Sequence, residues 1–381
     1  MFILIATYGT LCAHAQLLTD NPLLTLRDSA VQKLAAGYMR QPLAVGLSIG
    51  VYSNGNTHIY NYGESVKGSR VLINADQFFN LGSVAKTFAG TMLAEAVIEK
   101  RAELDDDIRR YLPGKYPNLQ YADHPVTLVE LANHTSGLPS AMRQFPAMTM
   151  DSVKKLSLTR QIDFFSRYDR DSVLKDLHQF KIDTIPGTKY HYNGNAMMVL
   201  IFLLEQIYHQ PYENLVTHYL RTRLGMYDSR TRIPAPQLGR FIQGYNEVGA
   251  AVHWFDIDDH SKKDVNTNLY YAGGPSMNST MNDMMKYLKA QVENTDPAIR
   301  LTHQLTWGQK PADFAIGLNW MYDLEDGVID YYHSGHTGLG FNTICEFYPT
   351  EQLGFMIMVN DNISQDKVSQ LENDLHKAFK K

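Results

Sequence analysis

Apolar residues follow two different periods along this chain of 381 residues, and the order of these patterns constrains the fold more than any other feature. Short alternating segments, typical of strands, lie near both ends of the chain. Segments with three-and-four spacing, typical of helices, occupy the middle. The economical arrangement is one antiparallel sheet built from both termini and flanked by helices, with an all-α domain inserted between its halves. The sequence therefore predicts an α/β (α+β) fold.

Turn residues and apolar spacing set the predicted boundaries. Asn54-Gly55 between two alternating segments is a typical hairpin turn. Strands are predicted at 44–52, 57–62, 317–322, 328–332, 341–348 and 353–359. Helices are predicted at 83–100, 196–208, 279–292 and 365–379. We expect a discontinuous α/β domain over 16–112 and 265–381, and a mainly helical domain over 113–264.

Composition excludes several classes of protein. The formal net charge is −5, which gives no overall attraction to nucleic acid. The two cysteines, Cys12 and Cys345, are too few for a disulfide framework or a cysteine zinc site, and no histidine spacing predicts a metal site. No apolar stretch after the N-terminal one is long enough to span a bilayer. We expect no cofactor and no metal, and the sequence favours no particular oligomeric state.

The first 15 residues resemble a secretory signal peptide. Residues 2–12 are mostly apolar, and Ala13-His14-Ala15 fits a small-x-small cleavage site before Gln16. No Lys or Arg precedes the apolar run, so a buried helix is the alternative interpretation. The sequence favours export, to the periplasm or to the outside of the cell.

Ser83 and Lys86 are candidate catalytic residues. Ser83 lies where a loop becomes a helix, with unpaired backbone N–H groups around it. Lys86 is three residues further on, so the two side chains share one face of the helix. A serine hydroxyl needs a base to become a good nucleophile, and a buried lysine can serve. Alone, this spacing more often marks a helix cap and a surface lysine.

Two further segments could complete a site. Residues 186–195 form a turn that delivers Tyr192 just before a helix. Near the C-terminus, a predicted strand ends in His333-Ser334-Gly335, followed by His336. Glycine lets a ligand approach the strand backbone closely. In isolation, a half-buried tyrosine and incidental histidines are the more common interpretation.

The order and spacing of these motifs resemble the serine β-lactamase and penicillin-binding protein superfamily, in its class C β-lactamase-like branch. The segments that carry the resemblance are 78–88 around Ser83, Val126-Thr127-Leu128, 131–139 (Leu-Ala-Asn-His-Thr-Ser-Gly-Leu-Pro), Ala272-Gly273-Gly274-Pro275 and the His333 motif. It covers roughly residues 30 to 378 and implies the β-lactamase/transpeptidase-like fold.

The resemblance also implies roles for the site residues. Ser83 would be the acylated nucleophile, Lys86 its activator and Tyr192 the partner base. His333 would occupy the position of the lysine or histidine in a Lys-Thr-Gly-like motif, with His336 as a rival. The backbone N–H groups of Ser83 and His336 would form the oxyanion hole.

Two departures from the family pattern bear on the substrate. Tyr192-Asn193-Gly194 places glycine where the family's Tyr-x-Asn motif has an asparagine, and Asn195 comes one position late. His333 replaces lysine, so we expect weaker recognition of a substrate carboxylate, strengthening as the pH falls through the histidine titration. Asn195, His333 and His336 are the predicted substrate-binding residues.

The sequence therefore predicts a serine hydrolase that acts on small-molecule or peptide substrates through an acyl-enzyme. It would cleave esters, amides or D-amino-acid peptides, with weak β-lactamase or DD-peptidase activity. The alternative is a penicillin-binding or sensor protein on the same fold with little turnover.

Overall fold

The computed structural model describes residues 17–140, 152, 155, 156, 170–252, 276–308, 314–325, 327–337 and 340–380. The segments 1–15 and 272–275, on which the export prediction and one family string depend, lie outside these residues. Export therefore stays a prediction.

A seven-stranded antiparallel sheet forms the centre of the described structure, in the order β2-β1-β13-β12-β11-β10-β9. Its strands are β1 (Gly46–Ser53), β2 (Asn56–Gly63), β9 (Ala315–Ile316), β10 (Met321–Glu325), β11 (Val328–Thr337), β12 (Phe341–Tyr348) and β13 (Leu353–Val359). The N-terminal strand β1 pairs directly with the C-terminal strand β13. The prediction of one sheet built from both termini is confirmed.

The remaining strands are two-residue pieces outside this sheet. They are β3 (Phe79–Asn80), β4 (Gln120–Tyr121), β5 (His124–Pro125), β6 (Gly244–Tyr245), β7 (Ala251–Val252) and β8 (Asn278–Ser279). The pairing of β3 with β8 brings the segment before Ser83 next to residues far along the chain.

Helices cover both faces of the sheet and fill the middle of the sequence. They are α1 (Leu26–Met39), α2 (Ala85–Ile98), α3 (Leu128–Ala132), α4 (Arg170–Gln179), α5 (Gly194–Tyr208), α6 (Tyr212–Leu224), α7 (Met281–Glu293), α8 (Pro297–Thr302) and α9 (Gln365–Phe379). Helices α1 and α9 pack on one face of the sheet. Helices α2 and α7 belong to the core on the other face, which continues into α5 and α6. The antiparallel sheet with helices on it, as predicted, is confirmed.

Several predicted boundaries agree closely with the structure, and two differ. Strands β12 and β13 and helix α9 have the predicted limits. The predicted strand 317–322 is wrong, because Gly317 N–H donates to the Trp320 carbonyl and Asn319 has a φ of +65°, which makes a turn. Strand β11 extends to Thr337, five residues past its predicted end.

The described helices between residues 128 and 224 fit an inserted helical domain, but the exact domain limits stay a prediction. No helix among the described residues is long and apolar enough to cross a membrane. Within the same residues, no group of His, Cys, Asp or Glu is arranged to hold a metal ion.

Candidate active site

Ser83 lies in a short 3₁₀ turn, Gly82–Val84, that leads directly into α2. The residue before the turn is held on both sides: the Leu81 N–H donates to the Met277 carbonyl, and the Thr343 hydroxyl donates to the Leu81 carbonyl, each at 2.9 Å. These bonds tie the segment before Ser83 to the residue before β8 and to β12. Ser83 itself is partly exposed, so a substrate can reach it.

Lys86 is buried beside Ser83, one turn into the helical segment. Its Nζ donates a hydrogen bond of 2.8 Å to Ser83 Oγ, and only 6% of the residue is exposed. No carboxylate among the described residues forms an ion pair with Lys86. The lysine is therefore positioned to exchange a proton with the serine hydroxyl, without a counter-ion to hold it elsewhere.

Tyr192 lies beside Lys86, in the segment before α5. The Lys86 Nζ is 5.2 Å from the centre of the Tyr192 ring. The ring is 40% exposed, and its hydroxyl makes no hydrogen bond to another residue that the structure describes. Asn193 begins α5, since its side chain accepts from the N–H groups of Asn195 and Ala196. The structure thus brings Ser83, Lys86 and Tyr192 together from two separate segments.

His333 lies at the same site, on β11, but its protonation state differs from the one expected from the sequence. It is 2% exposed, and its ring centre is 6.2 Å from that of Tyr192. Burial, and then the charge of Lys86, lower the pKa of His333 to about 3. The imidazole is neutral at neutral pH, so it offers a hydrogen bond rather than the titrating positive charge expected from the sequence.

The backbone of β11 passes unusually close to the nucleophile. A Cβ added to Gly335 would lie 3.1 Å from the Ser83 nitrogen and closer still to the Leu81 carbonyl oxygen. A Cβ on Gly82, which has a φ of +52°, would lie 2.8 Å from the His336 nitrogen. The backbone nitrogens of Ser83 and His336 therefore both lie where β11 approaches the 3₁₀ turn. This arrangement suits two donors to one oxyanion.

The side chains of His336 and Asn195 are directed differently. His336 is exposed, with its Nδ1 2.7 Å from Asn342 Oδ1. Asn195 is buried, and its Nδ2 donates to the Pro139 carbonyl at 3.0 Å. One of the two N–H groups on that nitrogen is used within the protein and the residue is buried, so this geometry gives no support to substrate binding by Asn195.

The segment 133–139, which sequence reasoning left without a chemical role, supports the Tyr192 segment. Gly187 N–H donates to the Thr135 carbonyl at 2.9 Å, and Asn193 Nδ2 donates to the Leu138 carbonyl. His134 is 2% exposed, with its ring 4.5 Å from the Tyr192 ring. The only sequence signal for this support was the specific family string around His134.

An aromatic cluster forms around Tyr190, two residues before Tyr192. The Tyr190 ring lies 4.5 Å from the Phe314 ring and 6.0 Å from the Trp307 ring. Trp307 Nε1 donates to the Gly187 carbonyl at 2.8 Å, at the start of the Tyr192 segment. All three rings are partly exposed, so they offer an apolar surface beside the catalytic groups.

Comparison with known proteins agrees with this geometry. The beta-lactamase family model matches residues 31–379. The chain belongs to the beta-lactamase family. A beta-lactamase of Pseudomonas fluorescens is 25% identical over 88% of the chain and 92% of its own length. The D-alanyl-D-alanine-carboxypeptidase/endopeptidase AmpH of Escherichia coli K12 is also 25% identical, over 83% of the chain and 79% of its own length.

Solved structures of this family have the same fold. The beta-lactamase/D-alanine carboxypeptidase of Pseudomonas syringae superposes with a TM-score of 0.74 at 19% identity, covering 93% of the chain and 99% of that protein. The prediction of a beta-lactamase-related serine hydrolase is confirmed.

Proposed function

We propose that this beta-lactamase family member forms an acyl-enzyme on Ser83 and cleaves esters or D-amino-acid peptide-type amides, with slow turnover of β-lactams. The observation that carries the proposal is the 2.8 Å hydrogen bond between Lys86 Nζ and Ser83 Oγ, beside the ring of Tyr192. A buried lysine next to a serine at a helix start is an arrangement that activates a hydroxyl nucleophile.

In the proposed mechanism, Ser83 Oγ attacks the substrate carbonyl carbon while its proton passes to the Lys86–Tyr192 pair. The N–H groups of Ser83 and His336 stabilise the negative charge that develops on the carbonyl oxygen. The pair then returns the proton to the leaving group, which departs and leaves an ester on Ser83. Water attacks that ester by the reverse proton transfer and frees the serine.

Three features favour esters over β-lactams as substrates. His333 is neutral, so it contributes no positive charge toward a substrate carboxylate. Gly194 has no side-chain amide, and the amide nitrogen of Asn195 is engaged with Pro139. The aromatic surface of Tyr190, Trp307 and Phe314 suits an apolar acyl group. An ester also has a better leaving group than an amide, so activation of Ser83 is enough.

Ser83→Ala tests the proposal directly. We expect it to abolish both hydrolysis of p-nitrophenyl esters and covalent labelling by a fluorophosphonate, as followed by mass spectrometry of the intact protein. Ser334→Ala is the matched control, because Ser334 lies on β11 near the site, and it should label normally. Labelling that persists in Ser83→Ala would contradict the mechanism.

A comparison of substrates distinguishes an enzyme that turns over from a protein that is only acylated. A panel of neutral p-nitrophenyl esters, a D-alanyl-D-alanine peptide and a chromogenic cephalosporin should give the highest kcat/KM for the esters. Stoichiometric labelling by a fluorescent penicillin without turnover of any substrate would favour a penicillin-binding or sensor protein instead. Lys86→Arg should fail in every assay, because arginine does not lose its proton in a protein.

A further inference from the structure

His134 makes four contacts with residues 186–195, one of them an edge contact of its ring with the Tyr190 ring at 6.1 Å. Its carbonyl accepts from the His191 N–H at 2.8 Å, and its Nδ1 accepts from the Asn193 N–H at 3.2 Å. Its ring packs against the Tyr192 ring with 4.5 Å between the ring centres. The two hydrogen bonds hold the residues immediately before and after Tyr192, and the ring contact limits the tyrosine side chain itself.

The chemical state of His134 suits this task. Burial and then the charge of Lys86 hold the pKa of His134 well below its usual range, so the ring is neutral. A neutral imidazole that accepts at Nδ1 carries its proton on Nε2. The Nδ1 lone pair therefore remains available to the Asn193 N–H at the working pH of the enzyme.

The backbone of His134 is itself unusual. Its φ is +61°, in the left-handed region that few residues other than glycine adopt, although histidine, asparagine and aspartate are found there more often than most. A residue held there despite the conformational cost indicates that the surrounding structure requires this backbone path. The path is what lets one residue use its carbonyl and its ring on the same neighbouring segment.

We propose that His134 is a positioning residue that holds the Tyr192 side chain in its working position beside Lys86. None of the hydrogen bonds described for His134 reaches Ser83 or Lys86, so we expect it to act through Tyr192. The inference rests on the proposed function, since it assumes that Tyr192 moves protons during acylation. Misplacement of a catalytic group by about 1 Å can cost roughly a hundredfold in rate.

Two substitutions at position 134 both tolerate its positive φ and differ in whether they keep a hydrogen-bond acceptor. His134→Asn keeps an acceptor near the position of Nδ1, and His134→Gly removes both the ring and the acceptor. Asparagine and glycine both adopt positive φ, so backbone strain does not separate them. We expect His134→Gly to lower the acylation rate constant of a p-nitrophenyl ester about 10- to 100-fold, and His134→Asn to recover most of it.

A double-substitution cycle gives the deciding readout. In a Tyr192→Phe background, His134→Gly should cost no further acylation rate, because its effect passes through the tyrosine hydroxyl. Losses that multiply would show a general structural role and overturn the proposal. Equal rates for His134→Gly and wild type would also overturn it.

His303→Ala is the matched control, since His303 is another buried histidine, bonded to Gln291 and packed against Tyr331. It should lower the melting temperature and leave acylation unchanged. If His134→Gly does not fold, His134→Ala, which also removes the ring and the acceptor, replaces it in the same cycle. Failure of the proposed function itself would be seen separately. Labelling or turnover would survive in Ser83→Ala, or Tyr192→Phe alone would leave both unchanged.

Discussion

At the residue scale, the proposed mechanism requires Tyr192 and Lys86 to share the Ser83 proton. Tyr192→Phe removes one oxygen from a partly exposed ring and leaves its contacts with His134 in place. We expect acylation to fall by roughly a hundredfold or more, the usual loss for an acid–base group, with an unchanged melting temperature. The measurement is the pre-steady-state burst with a p-nitrophenyl ester.

Tyr190→Phe is the control for this change. The Tyr190 ring packs against Phe314 and Trp307, so loss of its hydroxyl should affect acylation by no more than a few-fold. If Tyr192→Phe stays within a few-fold of wild type while Tyr190→Phe loses its activity, the roles of the two tyrosines are exchanged.

The buried state of His333 predicts a pH dependence of substrate preference that differs from the one expected from the sequence. With a pKa of about 3 instead of the usual value near 6.5, only about one His333 ring in a hundred is protonated at pH 5. We expect the ratio of kcat/KM for an anionic ester to that for a neutral ester to stay constant from pH 5 to 8. Parallel pH profiles of the two substrates measure this ratio.

A ratio that rises as the pH falls would show that a histidine near the site gains a proton in this range. Repeating the profiles with His336→Gln then assigns that histidine, because His336 is the exposed one of the pair. Loss of the rise in His336→Gln would assign it to His336, and its persistence would leave His333 and the exposed His191 to be tested in the same way.

At the element scale, the site depends on how closely β11 approaches the 3₁₀ turn at Ser83. In Gly335→Ala the added methyl group would meet the Leu81 carbonyl oxygen and the Thr343 hydroxyl. The strand must then move away from Ser83, which displaces one oxyanion donor. We expect acylation to fall about a hundredfold or more, the range seen when one such donor is lost, as measured by the burst assay.

Gly239→Ala is the matched control for Gly335→Ala. Nothing lies within 4 Å of a Cβ added at Gly239, and that residue does not have a positive φ. The control should match wild type in both acylation and melting temperature. Wild-type acylation by Gly335→Ala would show that the close approach of β11 has no part in catalysis.

At the scale of the whole molecule, buried carboxyl groups link the sheet to the C-terminal helix α9. Glu346 of β12 and Glu372 of α9 both accept from the Tyr348 hydroxyl, at 2.8 and 3.3 Å. Burial, and then the charge of Glu346, raise the pKa of Asp330 to about 8. Burial, and then the charge of Glu372, raise the pKa of Glu346 well above its usual value. The folded state therefore holds protons that the unfolded chain has released.

This linkage predicts the sign of the pH dependence of stability. Because the folded pKa values are raised, the carboxyl groups destabilise the folded state progressively as the pH rises from about 4 to 8. Glu346→Gln should make that loss of stability between pH 5 and 8 smaller, as measured by chemical denaturation at several pH values. The control Glu247→Gln changes an exposed residue and should leave the profile unchanged. A profile unaltered by Glu346→Gln would contradict this account.

Local sequence patterns determined the elements and the reacting groups. Apolar runs of strand length bounded by turn residues locate β12 and β13, because a strand buried on both faces reads as a short continuous apolar run. The three-residue spacing of Ser83 and Lys86 is sufficient to place the two side chains together, since they share one helical turn. The strand 317–322 was mispredicted because an apolar run does not reveal the positive φ of Asn319.

Properties that depend on distant segments were decided only by the tertiary structure. The neutral state of His333 follows from its burial beside Lys86, which no local pattern contains. The same is true of Asn195, whose amide nitrogen is occupied by the carbonyl of Pro139. His134 meets Tyr192 across 58 positions of sequence, through contacts that exist only once α3 and α5 have packed. The sequence by itself determined which groups can react; desolvation and long-range packing decided their protonation and their alignment.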